Sequence, residues 1–114
     1  MKTKDLYKGT IETFIYQLLS EHQKMYGYEL SKYIKERTNG NLEITESTLY
    51  PTLHKLEAAG HLTIEIVNIG NRVRKYYSLT PEGNEEAKNK IFDLQEFINV
   101  LTGMISGTPK LAIN

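Results

Sequence analysis

Few residue types in this chain are equipped for chemistry, and the histidines are the first to test. His54, Glu57 and His61 stand at i, i+3 and i+7, a spacing that can share one helix face, while His22 lies apart. The set does not assemble, because His61 follows Gly60, a residue expected to end a helix. No nucleophile, base and orienting residue fall into a recognisable signature either. The absence of cysteine removes thiolate zinc sites, iron–sulfur clusters, disulfides and a cysteine nucleophile. Gly27, Gly40, Gly60, Gly70 and Gly83 are scattered singly, so no glycine-rich phosphate loop exists. No catalytic residue, metal or cofactor is expected.

A different chemistry is written in Gly70-Asn71-Arg72-Val73-Arg74-Lys75, where three cations occupy four positions and no acid is nearer in sequence than Glu65 or Glu82. Such a cluster suits phosphate contact, against the plain alternative of charges that solubilise a loop tip and blunt a strand edge. A second group, Ser47, Thr48, Tyr50, Pro51, His54 and Lys55, falls on the outward arcs of a segment whose Leu49, Leu53 and Leu56 point inward. Proline inside a helix costs roughly 3 kcal/mol and an exposed tyrosine gains little, so a surface contact should compensate. Hydroxyls and cations on one helix face are the groups that meet phosphates and base edges; an ordinary solvated face is the alternative. Lys32 and Lys35, on another segment, read as solvated charges.

These groups need elements to hold them. A chain of 114 residues, 39% hydrophobic and 25% charged, has the size and composition of one globular domain. Its 14 basic and 14 acidic residues cancel, so bulk charge does not advertise a polyanionic partner. The balance is +2 up to Thr80 (11 against 9) and −2 beyond it (3 against 5). No apolar run is long enough to span a membrane and the first residues lack an apolar signal region, so a soluble cytoplasmic protein without a membrane partner is expected.

Ile11, Phe14, Ile15, Leu18 and Leu19 recur with helical period, predicting a helix to about His22. A second helix, from about Tyr26 to Arg37, turns Leu30, Tyr33 and Ile34 to one side and ends at Asn39-Gly40. A third begins at the N-cap Thr45 and stops at Gly60. Pro51 lies past its first turn and deletes the amide that would bond to Ser47, which predicts a loosened N-terminal turn. After Gly60 the period becomes two: Leu62, Ile64 and Ile66, then Val73 to Leu79, form a hairpin around Gly70-Asn71, with a tight reversal or a longer loop. Tyr76 and Tyr77 point oppositely, and one belongs to the core. Thr80-Pro81-Glu82 opens a last helix whose Ala87, Ile91, Leu94, Ile98, Leu101 and Ile105 are spaced as a heptad seam, widened by Phe92, Phe97 and Val100. From Gly103 the pattern fades into a linker-like tail.

Three helices followed by a hairpin is the winged helix-turn-helix order, in which the third helix enters the DNA major groove. Four motifs agree with it. Met25-Tyr26-Gly27-Tyr28-Glu29-Leu30, Thr48-Leu49-Tyr50-Pro51-Thr52-Leu53, Leu56-Glu57 with Gly60, and Arg74 through Gly83 together resemble the PadR-type transcriptional regulators over about residues 8–85. The single long helix after the hairpin resembles the short subfamily. The resemblance implies a mainly α fold with a small β-hairpin: a winged helix-turn-helix over residues 1–80, a dimerisation helix over 81–105 and a flexible tail over 106–114. It further implies a cytoplasmic homodimer, repressing as a rule, that binds double-stranded DNA.

Full burial of one leucine or isoleucine is worth about 1.5–3 kcal/mol, so the apolar seam calls for a second copy, with Ile91, Leu94, Ile98 and Leu101 at the interface. In one drug-binding member of the short subfamily a tryptophan of the last helix stacks on flat aromatic drugs; this chain has no tryptophan. Phe92 and Phe97, with Leu6 and Tyr7, are the expected lining for a small aromatic effector. The rival function is a winged-helix module that docks a protein and leaves nucleic acid alone, a reading that rests on the zero net charge.

Overall fold

The first apolar stripe becomes helix α1, Ile11–Glu21, whose most enclosed side chains are Ile15, Tyr16, Leu18 and Leu19. The computed structural model describes residue 7 and residues 9–108, and the remaining elements follow in the expected order. Helix α2, Gly27–Arg37, buries Leu30 and Ile34 and leaves its polar side to exposed ion pairs, Lys32 with Glu36 at 3.9 Å and Lys35 with Glu43 at 3.0 Å. It ends in a Schellman motif: the Gly40 amide donates to the Lys35 carbonyl at 2.8 Å and the Asn39 amide to that of Glu36 at 3.2 Å. Asn39 and Gly40 take the positive φ values, 52° and 77°, that this exit requires.

Helix α3 spans Glu46–Ala58 without interruption, which corrects the expectation of a loosened start. Thr45 explains why. Its hydroxyl accepts the Thr48 amide at 3.3 Å, and its carbonyl accepts both the Thr48 amide at 3.1 Å and the Leu49 amide at 3.0 Å. Helical geometry is therefore fixed before Pro51 is reached. A second Schellman exit follows, with the Gly60 amide on the Glu57 carbonyl and the His61 amide on the Leu56 carbonyl, each at 2.9 Å. The chain then reverses directly into the hairpin.

Strands β1, Leu62–Ile69, and β2, Arg72–Leu79, pair antiparallel from Leu62 against Leu79 to Ile69 against Arg72. The reversal is the tight one: two residues, Gly70 and Asn71, with Gly70 at φ 59°, the sign a primed hairpin turn demands of its first central residue. Met25 adds a one-residue bridge to Tyr77, with both backbone hydrogen bonds made (3.1 and 2.8 Å), so the entry to α2 lies along the free edge of β2. Of the adjacent tyrosines, Tyr77 is the core member.

Helix α4 covers Pro81–Ser106 and is started by Thr80, whose hydroxyl accepts the Gly83 amide at 3.0 Å and donates to the Gly60 carbonyl at 2.6 Å. One side chain thus ties the end of α3 to the start of α4. The helix ends at Gly107, φ 74°. Gly103, read from sequence as the start of a linker, lies inside the helix and is buried. The core gathers residues from all three early helices and the hairpin, and closes on Ala87 of α4. Among the described residues, four helices with a two-stranded wing make a winged helix-turn-helix, mainly α as the sequence indicated.

Candidate nucleic-acid interface

On α3 the three leucines at positions 49, 53 and 56 are buried, and Ser47, Thr48, Tyr50, Pro51, His54 and Lys55 are all exposed. They are not equivalent. The hydroxyls of Ser47 and Thr48 each lie 3.0 Å from that of Thr45 and belong to the cap. Tyr50 leans back over α2, its hydroxyl 3.2 Å from where a Cβ on Gly27 would sit, and its ring lies 6.4 Å from that of His54. Lys55 reaches 3.2 Å to Glu12 of α1, a carboxylate that Lys90 also approaches at 3.9 Å, so its charge is partly answered within the domain. Pro51 and His54 are left as the central outward positions.

The wing carries the electrostatic signal. Ten of the described residues are Lys or Arg, and seven of them, Lys24, Lys32, Lys35, Arg37, Lys55, Lys88 and Lys90, have a carboxylate within 4.0 Å. Among the described residues Arg72, Arg74 and Lys75 have none. Three uncompensated cations on one strand raise the local potential in a chain whose net charge is zero. The register sends Arg72 and Arg74 to one face and Lys75 with Val73 to the other, as strand alternation predicted. At the wing's flank a cleft of about 430 Å³ brings Tyr50 and Glu46 of α3 beside Arg74 and Lys75 of β2 and Tyr26 before α2, so the helix and the wing border one surface.

Sequence reading missed the middle of this surface. Tyr26 holds Arg74, whose guanidinium carbon sits 4.5 Å over the ring centroid, and Tyr76 packs its edge against Tyr26 at 5.4 Å. Lys24 lies 5.0 Å over the Tyr76 ring and pairs with Glu65 at 2.9 Å. The only signal was Tyr26 and Tyr28 at i, i+2 beside a helix start, which does not reveal a partner some fifty residues on.

The histidines separate. His22 packs on the Tyr33 ring at 4.9 Å, His54 stays on α3, and His61 Nδ1 lies 2.8 Å from the Tyr16 hydroxyl. Burial, with Glu12 and Glu86 nearby, pushes the Tyr16 hydroxyl up to about 12. Among the described residues no three His, Asp or Glu side chains are grouped to hold a metal ion, and no helix is long and apolar enough to cross a membrane.

Along α4 the heptad seam divides. Ala87 is enclosed and Ile91 packs against its own core, Leu94 is half-buried, and Ile98 and Leu101 are exposed. Met104 and Ile105 are more than four-fifths exposed, at 82% and 86%. Phe92 and Phe97 are also exposed, and no ring contact joins either to Tyr7, which is half-buried against the core. Leu6, the fourth expected lining residue, falls outside the described residues.

Known proteins share this architecture. Residues 15–89 match the transcriptional regulator PadR-like family. A transcriptional regulator of Clostridium thermocellum superposes with a TM-score of 0.78 at 32% identity, over 90% of this chain and 96% of that one. The transcriptional regulator Rv3488 of Mycobacterium tuberculosis is 34% identical over 74 residues, 65% of this chain and 69% of that protein. PadR of Bacillus subtilis, solved in complex with operator DNA, aligns with a TM-score of 0.62 at 29% identity over 68% of this chain and 44% of its own. The wing, the capped third helix and the matched residues agree: this chain belongs to the PadR-like family of transcriptional regulators.

Proposed function

We propose that the protein is a cytoplasmic, non-catalytic DNA-binding repressor that acts as a homodimer on an inverted-repeat operator. Helix α3 enters the major groove through the surface around Pro51 and His54, with Ser47, Thr48, Tyr50 and Lys55 at its margins. Arg72, Arg74 and Lys75 meet the adjoining backbone. The observation that carries this reading is the charge pairing: among the described residues only the three wing cations, of the lysines and arginines, lack a carboxylate within 4.0 Å, and two of them, Arg74 and Lys75, border one cleft with Tyr50 of α3. The likeness to a protein solved on operator DNA supports it.

Two copies joined through the exposed α4 seam would carry their third helices about 34–36 Å apart, one turn of duplex. The apolar space between paired α4 helices, beside Phe92 and Phe97, would suit a flat aromatic effector, with Leu6 and Tyr7 as the further lining expected from the sequence. A ligand that prefers one spacing of the two halves would release the operator by shifting the population.

The test is the salt dependence of binding to a duplex from the chain's own upstream region. Several phosphate contacts make affinity fall steeply between about 50 and 200 mM salt, and replacing Arg72 and Lys75 by Ala should lower the slope by about one for each phosphate no longer neutralised. Zero net charge is the observation that favours the rival, a protein-docking winged helix, and absence of any duplex binding at low salt would decide for it.

A further inference from the structure

We infer that Tyr26 is a positioning residue for DNA recognition: it holds the Arg74 guanidinium over its ring, so that the wing and the helix-turn-helix present their contacts as one rigid unit. The inference rests on the reading that the wing meets DNA. Arg74 differs from its neighbours in being half-buried while Arg72 and Lys75 are exposed. It has no carboxylate among the described residues, and its closest organised contact is the Tyr26 ring, 4.5 Å from the guanidinium carbon.

Contact with an aromatic ring leaves the guanidinium charge in place and, unlike an ion pair, commits none of its N–H donors to a carboxylate. Those donors stay available in the guanidinium plane for a phosphate or a base edge, which an ion pair with a carboxylate would have taken. A long flexible side chain is thereby aimed without being neutralised.

Tyr26 can hold Arg74 because it is itself held. It precedes α2 directly, where its amide donates to Glu29 Oε1 at 3.2 Å and its carbonyl accepts the Leu30 amide at 3.1 Å. Its neighbour Met25 is bridged to Tyr77 through both backbone hydrogen bonds. The ring is braced by the edge of Tyr76 at 5.4 Å and by Tyr28 at 6.2 Å in a nearly parallel arrangement. Tyr76 is covered on its own account by Lys24, which Glu65 anchors. The brace therefore runs from the start of α2 across both strands of the wing and ends on Arg74, which, unlike Lys24, has no carboxylate within 4.0 Å among the described residues.

The test is a double-mutant cycle in the full-length protein, read as affinity for a duplex selected from random sequence by the wild type. Tyr26→Leu should weaken binding about 3- to 10-fold, Tyr26→Phe should bind like wild type, and Tyr26→Leu should add nothing in the Arg74→Ala background. Equal losses in both backgrounds, or none in either, overturn the inference while leaving the wing's role intact if Arg74→Ala alone weakens binding. No loss on Arg74→Ala also overturns the inference, and the wing's role then stands or falls on the Arg72 and Lys75 substitutions. A readout independent of any substitution is the Arg74 side-chain proton resonances of the free protein, which ring current should move upfield; random-coil positions would sink the proposal.

Discussion

The α4 backbone at Gly83 is pressed against the carbonyl of His61: a Cβ built on this glycine would fall 1.9 Å from that oxygen and 2.7 Å from the carbonyl carbon. The contact is backbone on backbone, so no rotamer change relieves it. Thr80 reinforces the same junction, with its amide on the His61 carbonyl at 3.1 Å and its hydroxyl on that of Gly60. The direction in which α4 leaves the domain is set here, at the turn between α3 and the wing.

Gly83→Ala tests this junction with a diagnostic sign. At an unconstrained interior helix position the change would stabilise by about 0.5–1 kcal/mol. Here it should destabilise by about 1–3 kcal/mol, since α4 must move off His61. Urea unfolding measures it, and a stabilised variant would refute the close approach. If α4 spaces two copies as proposed, operator affinity should fall further than the drop in folded protein explains.

The buried Tyr16 hydroxyl gives a pH dependence whose sign is fixed. Its folded value of about 12 lies above the ordinary tyrosine value of about 10, with burial the main cause. The stabilisation it represents is complete below about pH 10 and is lost as pH rises through 12. Tyr77, also pushed up by burial, acts in the same direction. Tyr16→Phe should cost about 1 kcal/mol at neutral pH by removing the bond to His61, yet flatten the decline of stability between pH 10 and 12 by up to about 1.4 kcal/mol per pH unit. Equal slopes in variant and wild type would contradict the assignment.

Pro51 separates stability from function. It removes the amide that would serve the Ser47 carbonyl, within a helix that is otherwise continuous. Pro51→Ala restores the bond and should stabilise the domain by about 1–3 kcal/mol. If the proline shapes the surface that meets DNA, the more stable variant binds its operator more weakly, and calorimetry with anisotropy titration reads both. Unchanged affinity would return Pro51 to an ordinary surface position.

The order of elements was legible because each boundary carries local chemistry: Thr45 and Thr80 as caps, Asn39-Gly40 and Gly60 as helix exits, Gly70-Asn71 as a two-residue reversal. The leucines at positions 49, 53 and 56 likewise fixed which side of α3 faces out. What sequence could not show is long-range. Glu12 answering Lys55, Tyr26 holding Arg74, and His61 touching both Tyr16 and the start of α4 join residues 22 or more positions apart, and nothing in their local spacing encodes the meeting. Gly103 misled for the opposite reason. Its propensity favours a break, but the helix continues through it to Gly107, the residue whose positive φ ends it.

The last prediction concerns the outer half of α4. Ala87 and Ile91 lie against the protomer's own core, so they stabilise the fold whether or not a second copy binds. Ile98, Leu101 and Ile105 continue the same seam while exposed, and Phe97 and Met104 flank them. Leaving several such side chains in water forgoes about 1.5–3 kcal/mol each, an amount comparable with the whole margin of a small domain. Leu101→Glu should therefore convert a dimer into monomers by sedimentation, with little change in helix content, because Leu101 contributes almost nothing to the core of one copy. Ala87→Glu should do the reverse and unfold the domain. Monomers would bind a half-site only weakly, since the second contact loses its effective concentration. A Leu101→Glu protein that stays dimeric would place the interface elsewhere on the molecule.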